Sequence, residues 1–332
     1  MRAKFSMEGI IPIVISVSLL CHAIVVAGSL SKRPYLNFAD VDCGVRQLSS
    51  ELTRQGKASN SHPSLQGEFP WMASFRFNNN GNHFCGGFII SRWHILSAAH
   101  CFLDSNFVRP VKWMDVVIGG RRSADDEIKF EIDDIIIHPS YKRRGFHNDI
   151  AVVKLHEAIE WSPLTQPLCL PDPELEDVLD DSESQSKVTF QVAGWGSNGT
   201  SDSSEELRKA EIEHVYKNEE CQKLYAGNDV QILDSHLCAG GGSGLDYEEE
   251  NLPSDACVGD SGGPLMATKG FRDDHQNTTI AIGIVAAGKG CAKYPGIYSR
   301  ISKLVGWIRE VVNDDGNYKR PEDNSVVIDS YY

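Results

Sequence analysis

The run Gly259-Asp260-Ser261-Gly262-Gly263-Pro264 carries more chemical information than any other segment of this sequence. At ordinary residue frequencies a given hexapeptide of this kind arises in such a chain with a chance on the order of 10⁻⁵. A serine among small residues leaves room for a substrate carbonyl. It also lets backbone N–H groups approach the oxyanion that attack on that carbonyl creates. Serine is a weak nucleophile until a base takes its proton, and an imidazole base needs a partner that fixes its tautomer and stabilises the imidazolium. Two segments offer these groups. Ser97-Ala98-Ala99-His100-Cys101 follows the apolar Ile95-Leu96 run, and Asn148-Asp149-Ile150-Ala151-Val152-Val153 puts an aspartate at the mouth of a strand. Alone, His100 reads as a structural histidine and Asp149 as a turn residue or cap. With Ser261, in the order His, Asp, Ser, they read as an acyl-transfer triad. That order differs from Ser, acid, His in α/β-hydrolases and from Asp, His, Ser in subtilisin-like enzymes.

Groups so far apart in sequence need a rigid scaffold, and the chain has the material for one. Its 332 residues are 41% hydrophobic and 23% charged, which is a globular composition with enough apolar content for a sizeable core. Short β-rich runs recur at Trp71 to Phe77, Val116 to Ile118, Ile135 to Ile137, Ile150 to Leu155, Val188 to Val192 and Thr279 to Val285. Glycine and proline punctuate them, so an all-β barrel or sandwich is expected. A helical stripe appears only near the end, at Leu304, Val305, Ile308, Val311 and Val312. The net charge of −14 argues against a nucleic-acid surface or a polybasic membrane contact. The acidic stretches Asp172 to Glu183 and Asp246 to Glu250 read as solvated loops.

Residues 10–27 carry no Asp, Glu, Lys or Arg, follow Arg2 and Lys4, and lead into Ala27-Gly28-Ser29. The pattern predicts a signal peptide over 1–29, with a retained signal anchor as the alternative. Of the nine cysteines only Cys21 lies in this leader, so cleavage leaves an even set of eight in an oxidising compartment. A polar propeptide or linker follows over 30–57, and a loose tail over 314–332.

At this point residues 67–313 resemble the trypsin and chymotrypsin family of serine proteases. The resemblance implies two packed six-stranded antiparallel β-barrels with a C-terminal helix, the domain running over 58–313 and the triad lying in the cleft. It implies that His100 is the general base and acid, that Asp149 orients it, and that Ser261 attacks. Backbone N–H groups of Gly259 and Ser261 would form the oxyanion hole. It pairs Cys85 with Cys101, Cys221 with Cys238, Cys257 with Cys291, and Cys43 with Cys169, the last tethering the propeptide after cleavage. The positions of a further bridge common in the family hold Phe190 and Ala267. Asp255 stands where trypsin-like members carry the carboxylate of their specificity pocket, and Gly288 and Gly296 match its open walls. Cleavage after Arg or Lys is therefore expected, since an apolar side chain would leave that buried charge unpaired. Ala256 replaces the usual serine beside the carboxylate, which predicts a preference for Arg over Lys. Ala286-Ala287 replaces the usual Ser-Trp, which removes a hydroxyl near Asp149 and an aromatic wall. Around Gly120 to Glu127 no calcium-ligand pattern is recognisable, and no metal or other cofactor is expected.

Activation is the irregular feature. The register of Gly67-Glu68-Phe69-Pro70-Trp71 places the new N-terminus at Ala58, after a cut at Lys57, with its ammonium directed at Asp260. Ala58-Ser59-Asn60-Ser61 stands there in place of Ile-Val-Gly-Gly. Each buried Ile or Val would contribute roughly 1.5–3 kcal/mol. Losing even about 2 kcal/mol shifts the active-to-inactive balance about 30-fold. A weakly activated enzyme, one that needs a bound partner, a zymogen-locked binding protein and an unusual transcript are the alternatives. Expected partners are protein substrates with Arg or Lys at the cut, an activating protease and protein inhibitors, with a membrane only if the leader is retained. Asn198-Gly199-Thr200 and Asn277-Thr278-Thr279 are glycosylation sequons. Lys142-Arg143-Arg144 reads as a solvated basic turn, with a substrate exosite as the alternative. The Asp246 to Glu250 cluster leads into the expected pocket and would raise the local concentration of basic substrates.

Overall fold

The computed structural model describes residues 35–46, 62–104, 107–120, 128–172, 185–196, 204, 206–227, 230–241, 260–269, 277–288 and 294–314. Outside them lie Cys21, Lys57, Ala58, Asn198, the Asp246 to Glu250 cluster, Asp255, Ala256, Cys257, Gly259 and Cys291. Most of the 120–127 loop and the 314–332 tail are outside as well.

Six strands close into a barrel: β1 (Met72–Phe77), β2 (His83–Ile89), β3 (His94–Ser97), β4 (Met114–Ile118), β5 (Ile128–Ile137) and β6 (Ala151–Leu155). Their order around the barrel is β6-β3-β2-β1-β4-β5. The sequence dictates two kinds of strand here. In β5, Phe130 and Ile132 are buried while Glu131 and Asp133 are exposed, the period of two that a half-solvated strand requires. In β6 the apolar run Ala151-Val152-Val153 is wholly buried, packed with Phe75, Phe88, Ile95 and Leu96 in the barrel core.

The second half is an eight-stranded antiparallel sheet. Its six longer strands are β7 (Thr189–Gly194), β8 (Arg208–Ile212), β9 (His236–Ala239), β10 (Pro264–Lys269), β11 (Thr278–Ala287) and β12 (Gly296–Arg300). They run in the order β9-β12-β11-β10-β7-β8, with two-residue strands Val215–Tyr216 and His62–Pro63 at the edges. Phe190 and Ala267 face each other across β7 and β10 as an apolar pair, in place of the further bridge found in the family. Two α-helices lie among the described residues, α1 (Asn218–Leu224) and α2 (Ile301–Asn313). The α2 stripe buries Leu304, Val305, Ile308 and Val311, and its Trp307 ring lies 4.9 Å from that of His138.

Among the described residues three disulfides are formed, Cys43–Cys169, Cys85–Cys101 and Cys221–Cys238. The first fastens residues 35–46 to the body. Tyr35–Leu36 pairs with Leu170–Pro171, Gly44 N–H donates to the Pro167 carbonyl at 2.8 Å, and the Gly44 carbonyl accepts from Thr279 N–H at 2.9 Å. Gly44 has φ 66°, and a side chain there would overlap the Thr279 carbonyl. Arg46 ends the segment half-buried, its guanidinium 4.6 Å from the Phe69 ring centroid and donating to Gln191 Oε1 at 2.9 Å.

Candidate active site

Register brings the histidine and the aspartate together. Ala151 of β6 lies opposite Ser97 of β3. Asp149 stands two residues before the first, and His100 three residues after the second, in the short 3-10 turn Ala99–Phe102. The buried Asp149 carboxylate accepts twice from His100: Oδ1 from the backbone N–H at 2.9 Å and Oδ2 from ring Nδ1–H at 2.6 Å. The double contact fixes the ring plane and the tautomer and leaves Nε2 as the acceptor. Burial alone would lower the imidazole pKa. The Asp149 charge and its hydrogen bond outweigh burial, and His100 is raised above the ordinary histidine value.

The turn that presents Asp149 is strained. Phe146 and Asn148 have φ of 54° and 49°, a left-handed conformation that costs a residue with a side chain on the order of 1–3 kcal/mol. Buried His236 supports it: its Nε2 donates to the Phe146 carbonyl at 3.1 Å, and its Nδ1 accepts from Leu233 N–H at 3.0 Å. Burial holds that imidazole below its ordinary pKa, as a neutral donor–acceptor requires. Ser299 Oγ donates to the Asp149 backbone carbonyl at 2.8 Å, so a hydroxyl from β12 steadies the aspartate where Ala286 supplies none. Phe146 lies edge-on to His100 with ring centroids 6.0 Å apart. Lys142 to Arg144 are exposed on the same turn.

The serine turn docks between the two halves. Gly86 N–H of β2 donates to the Ser261 carbonyl at 2.7 Å, and Gly262 N–H donates to Val285 of β11 at 2.9 Å. Ser97 Oγ donates to the Gly86 carbonyl at 2.8 Å, so the strand leading to His100 is tied to the strand that holds Ser261. Gly262 has φ 83°, and a Cβ there would overlap both Ser97 Oγ and the Gly86 carbonyl. The small residues around the serine therefore serve close approach as well as the room they leave for a carbonyl. Asp260 is seated on the backbone of residues 194–196: Gly196 N–H donates to its Oδ1 at 2.9 Å, and a Cβ on Gly194 or Gly196 would overlap the carboxylate.

Of the expected pocket walls, Gly288 follows β11 and Gly296 opens β12, one step beyond the Ala287–Ile297 pair. Gly288 is exposed with open space where a Cβ would stand, whereas a Cβ on Gly296 would press on the Tyr298 ring at 3.0 Å. Asn277 is exposed at the start of β11. Cys85, His100 and Cys101 cluster as metal ligands can, but the two sulfurs are joined in a disulfide and offer no thiolate. Sequence reasoning missed Ser299, His236, Phe146 and the pair Gly194 and Gly196. Only Gly194-Trp195-Gly196 carried a signal, two glycines framing a tryptophan.

A closed barrel and an antiparallel sheet thus carry an imidazole held by a buried carboxylate and a serine turn tied to the strand that precedes the histidine. Residues 58–308 match the family model described as Trypsin, and the chain belongs to that family. It is 32% identical, over 80% of its length, to 58% of transmembrane protease serine 11B of Homo sapiens. It is 34% identical, over 79% of its length, to 69% of venom serine protease Bi-VSP of Bombus ignitus. It is 31% identical, over 74% of its length, to 64% of serine protease ea of Drosophila melanogaster. The chain thus spans under two thirds of the first of these relatives, and of ovochymase from Halocynthia roretzi it spans 16%. No helix among the described residues is long and apolar enough to cross a membrane.

Proposed function

We propose that this protein is a secreted serine endopeptidase, made as a zymogen cut after Lys57, that cleaves peptide bonds after Arg or Lys. The observation that carries the reading is the double contact of Asp149 with His100 beside the docked Ser261 turn. His100 Nε2 takes the Ser261 proton as Oγ bonds to the scissile carbonyl carbon. The oxyanion is received by N–H groups of Ser261 and Gly259. Nε2–H then protonates the leaving amine, the C–N bond breaks, and water hydrolyses the acyl-enzyme by the same proton path. Asp255 supplies the preference for a cationic side chain between Gly288 and Gly296. These three disulfides fit an oxidising compartment, and the relatives are named as proteases.

The test is to express the proform, treat it with trypsin, sequence the new N-terminus and assay an Arg-anilide beside Ser261→Ala. A terminus at Ala58 with turnover far above the alanine variant is expected. A clean cut at Lys57 with no more turnover than Ser261→Ala overturns the reading and leaves a zymogen-locked binding protein.

A further inference from the structure

Immediately after the histidine turn, Leu103–Asp104 and Phe107–Val108 pair as a short hairpin. Phe107 is 77% exposed, an unusual position for a ring. Arg109 follows, pinned by its N–H to the Phe102 carbonyl at 2.7 Å. Its guanidinium lies 5.4 Å from the Phe77 ring centroid and 5.6 Å from that of Phe84, and those two rings stack on each other at 4.4 Å. Among the described residues Arg109 has no carboxylate partner, although it is half-buried. A guanidinium laid over rings keeps its plane fixed and its N–H edge free. That edge is a fork matched to a carboxylate.

The shelf is close to the nucleophile on a definite side. Phe84 precedes Cys85, which is bonded to the neighbour of His100, and Gly86 donates to the Ser261 carbonyl. Phe84 and Gly86 are two steps apart on the strand, roughly 7 Å. The opposite flank of Ser261 is Val285 of β11, the strand that leads to Gly288 and Gly296. A polypeptide whose acyl-side residue occupies that flank must leave across β2. At about 3.3–3.6 Å per extended residue, its second or third residue after the cut comes over Phe84.

We infer that Arg109, held over Phe77 and Phe84, is a specificity-determining residue that receives an acidic side chain two or three residues downstream of the cleaved bond. The inference rests on the protease reading above.

The trypsin-treated full-length protein is assayed on peptides that share an Arg at the cut and carry Glu, Gln or Lys at the second or third downstream position. An Arg-anilide, which has no downstream residues, reads the acyl half alone. The expected result is a three- to tenfold higher kcat/KM for Glu than for Gln, the range of a partly exposed, charge-assisted pair. The preference shrinks as salt is added. Arg109→Gln removes it, Arg109→Glu turns it toward Lys, and Arg109→Lys keeps part of it, while anilide turnover shows that each variant is folded and active. An equal Glu-to-Gln ratio in wild type and Arg109→Gln overturns the inference with the protease reading intact. Absence of anilide turnover in the wild type overturns the protease reading, and this inference with it.

Discussion

Replacing Asp149 by Asn tests the site at its most buried contact. The change keeps shape and volume but converts one acceptor oxygen into an NH₂ donor. In the native site both oxygens accept, from the His100 backbone N–H at 2.9 Å and from Nδ1–H at 2.6 Å. The amide can satisfy the backbone N–H with its oxygen only by turning the NH₂ group toward Nδ1. Nδ1 must then be the acceptor, the proton moves to Nε2, and Nε2 no longer takes the serine proton. A wrong-tautomer base of this kind costs about 10⁴ in kcat, or roughly 5.4 kcal/mol at 1.36 kcal/mol per decade. The pH profile supplies an independent readout. His100 is raised only because Asp149 outweighs burial. Turnover requires neutral His100, so activity is lost as pH falls through that raised value. Without the carboxylate, burial and the Arg143 charge both lower the imidazole, and the acid limb of the residual activity moves to lower pH. The assay is kcat/KM on an Arg-anilide from pH 5 to 9 for both proteins. A loss under about tenfold, or an acid limb that stays in place, would refute the tautomer argument.

Gly262→Ala forces a side chain at φ 83° against Ser97 Oγ and the Gly86 carbonyl, so active-site titration should find almost no competent serine. The backbone angle alone costs on the order of 1–3 kcal/mol, visible as a lower urea midpoint. Ser299→Ala withdraws the donor on the buried Asp149 carbonyl and should cost about 1–3 kcal/mol in urea unfolding, with a smaller fall in kcat than Asp149→Asn gives. Burial lowers His138 to about 4, below the unfolded value of 6.5, so the unfolded chain binds the extra proton between those limits. Its contribution to stability is complete above pH 6.5 and is lost as pH falls toward 4. Near pH 5, His138→Asn should therefore flatten the stability-versus-pH slope. After cleavage at Lys57, the Cys43–Cys169 bond should hold residues upstream of the cut. Gel electrophoresis should then show one band without reductant and two with it, whereas Cys43→Ser should release the segment without reductant.

Sequence reading recovered the elements that announce themselves locally. All six of the β-rich runs fall in strands, and the Leu304 to Val312 stripe falls in α2, because period two and period 3.6 are properties of neighbouring residues. Strands β2, β3, β8, β9, β10 and β12 lie outside those runs; in β2 and β8, Cys85-Gly86-Gly87 and Arg208-Lys209 carry no apolar alternation and owe their conformation to the strands beside them. Helix α1 was missed because its seven residues bury only Cys221.

By itself the sequence supplied residue types and their order: a serine in a glycine turn, a histidine, an aspartate and nine cysteines, eight of them beyond residue 40. Only the tertiary structure decided how those groups are held. The Ala151–Ser97 register that joins Asp149 to His100, the hydroxyl that Ser299 brings to Asp149, the His236 prop under Phe146 and the shelf beneath Arg109 all join residues distant in the chain. Such contacts have no local signature, because the strand pairing that creates them is fixed by the burial of the whole core.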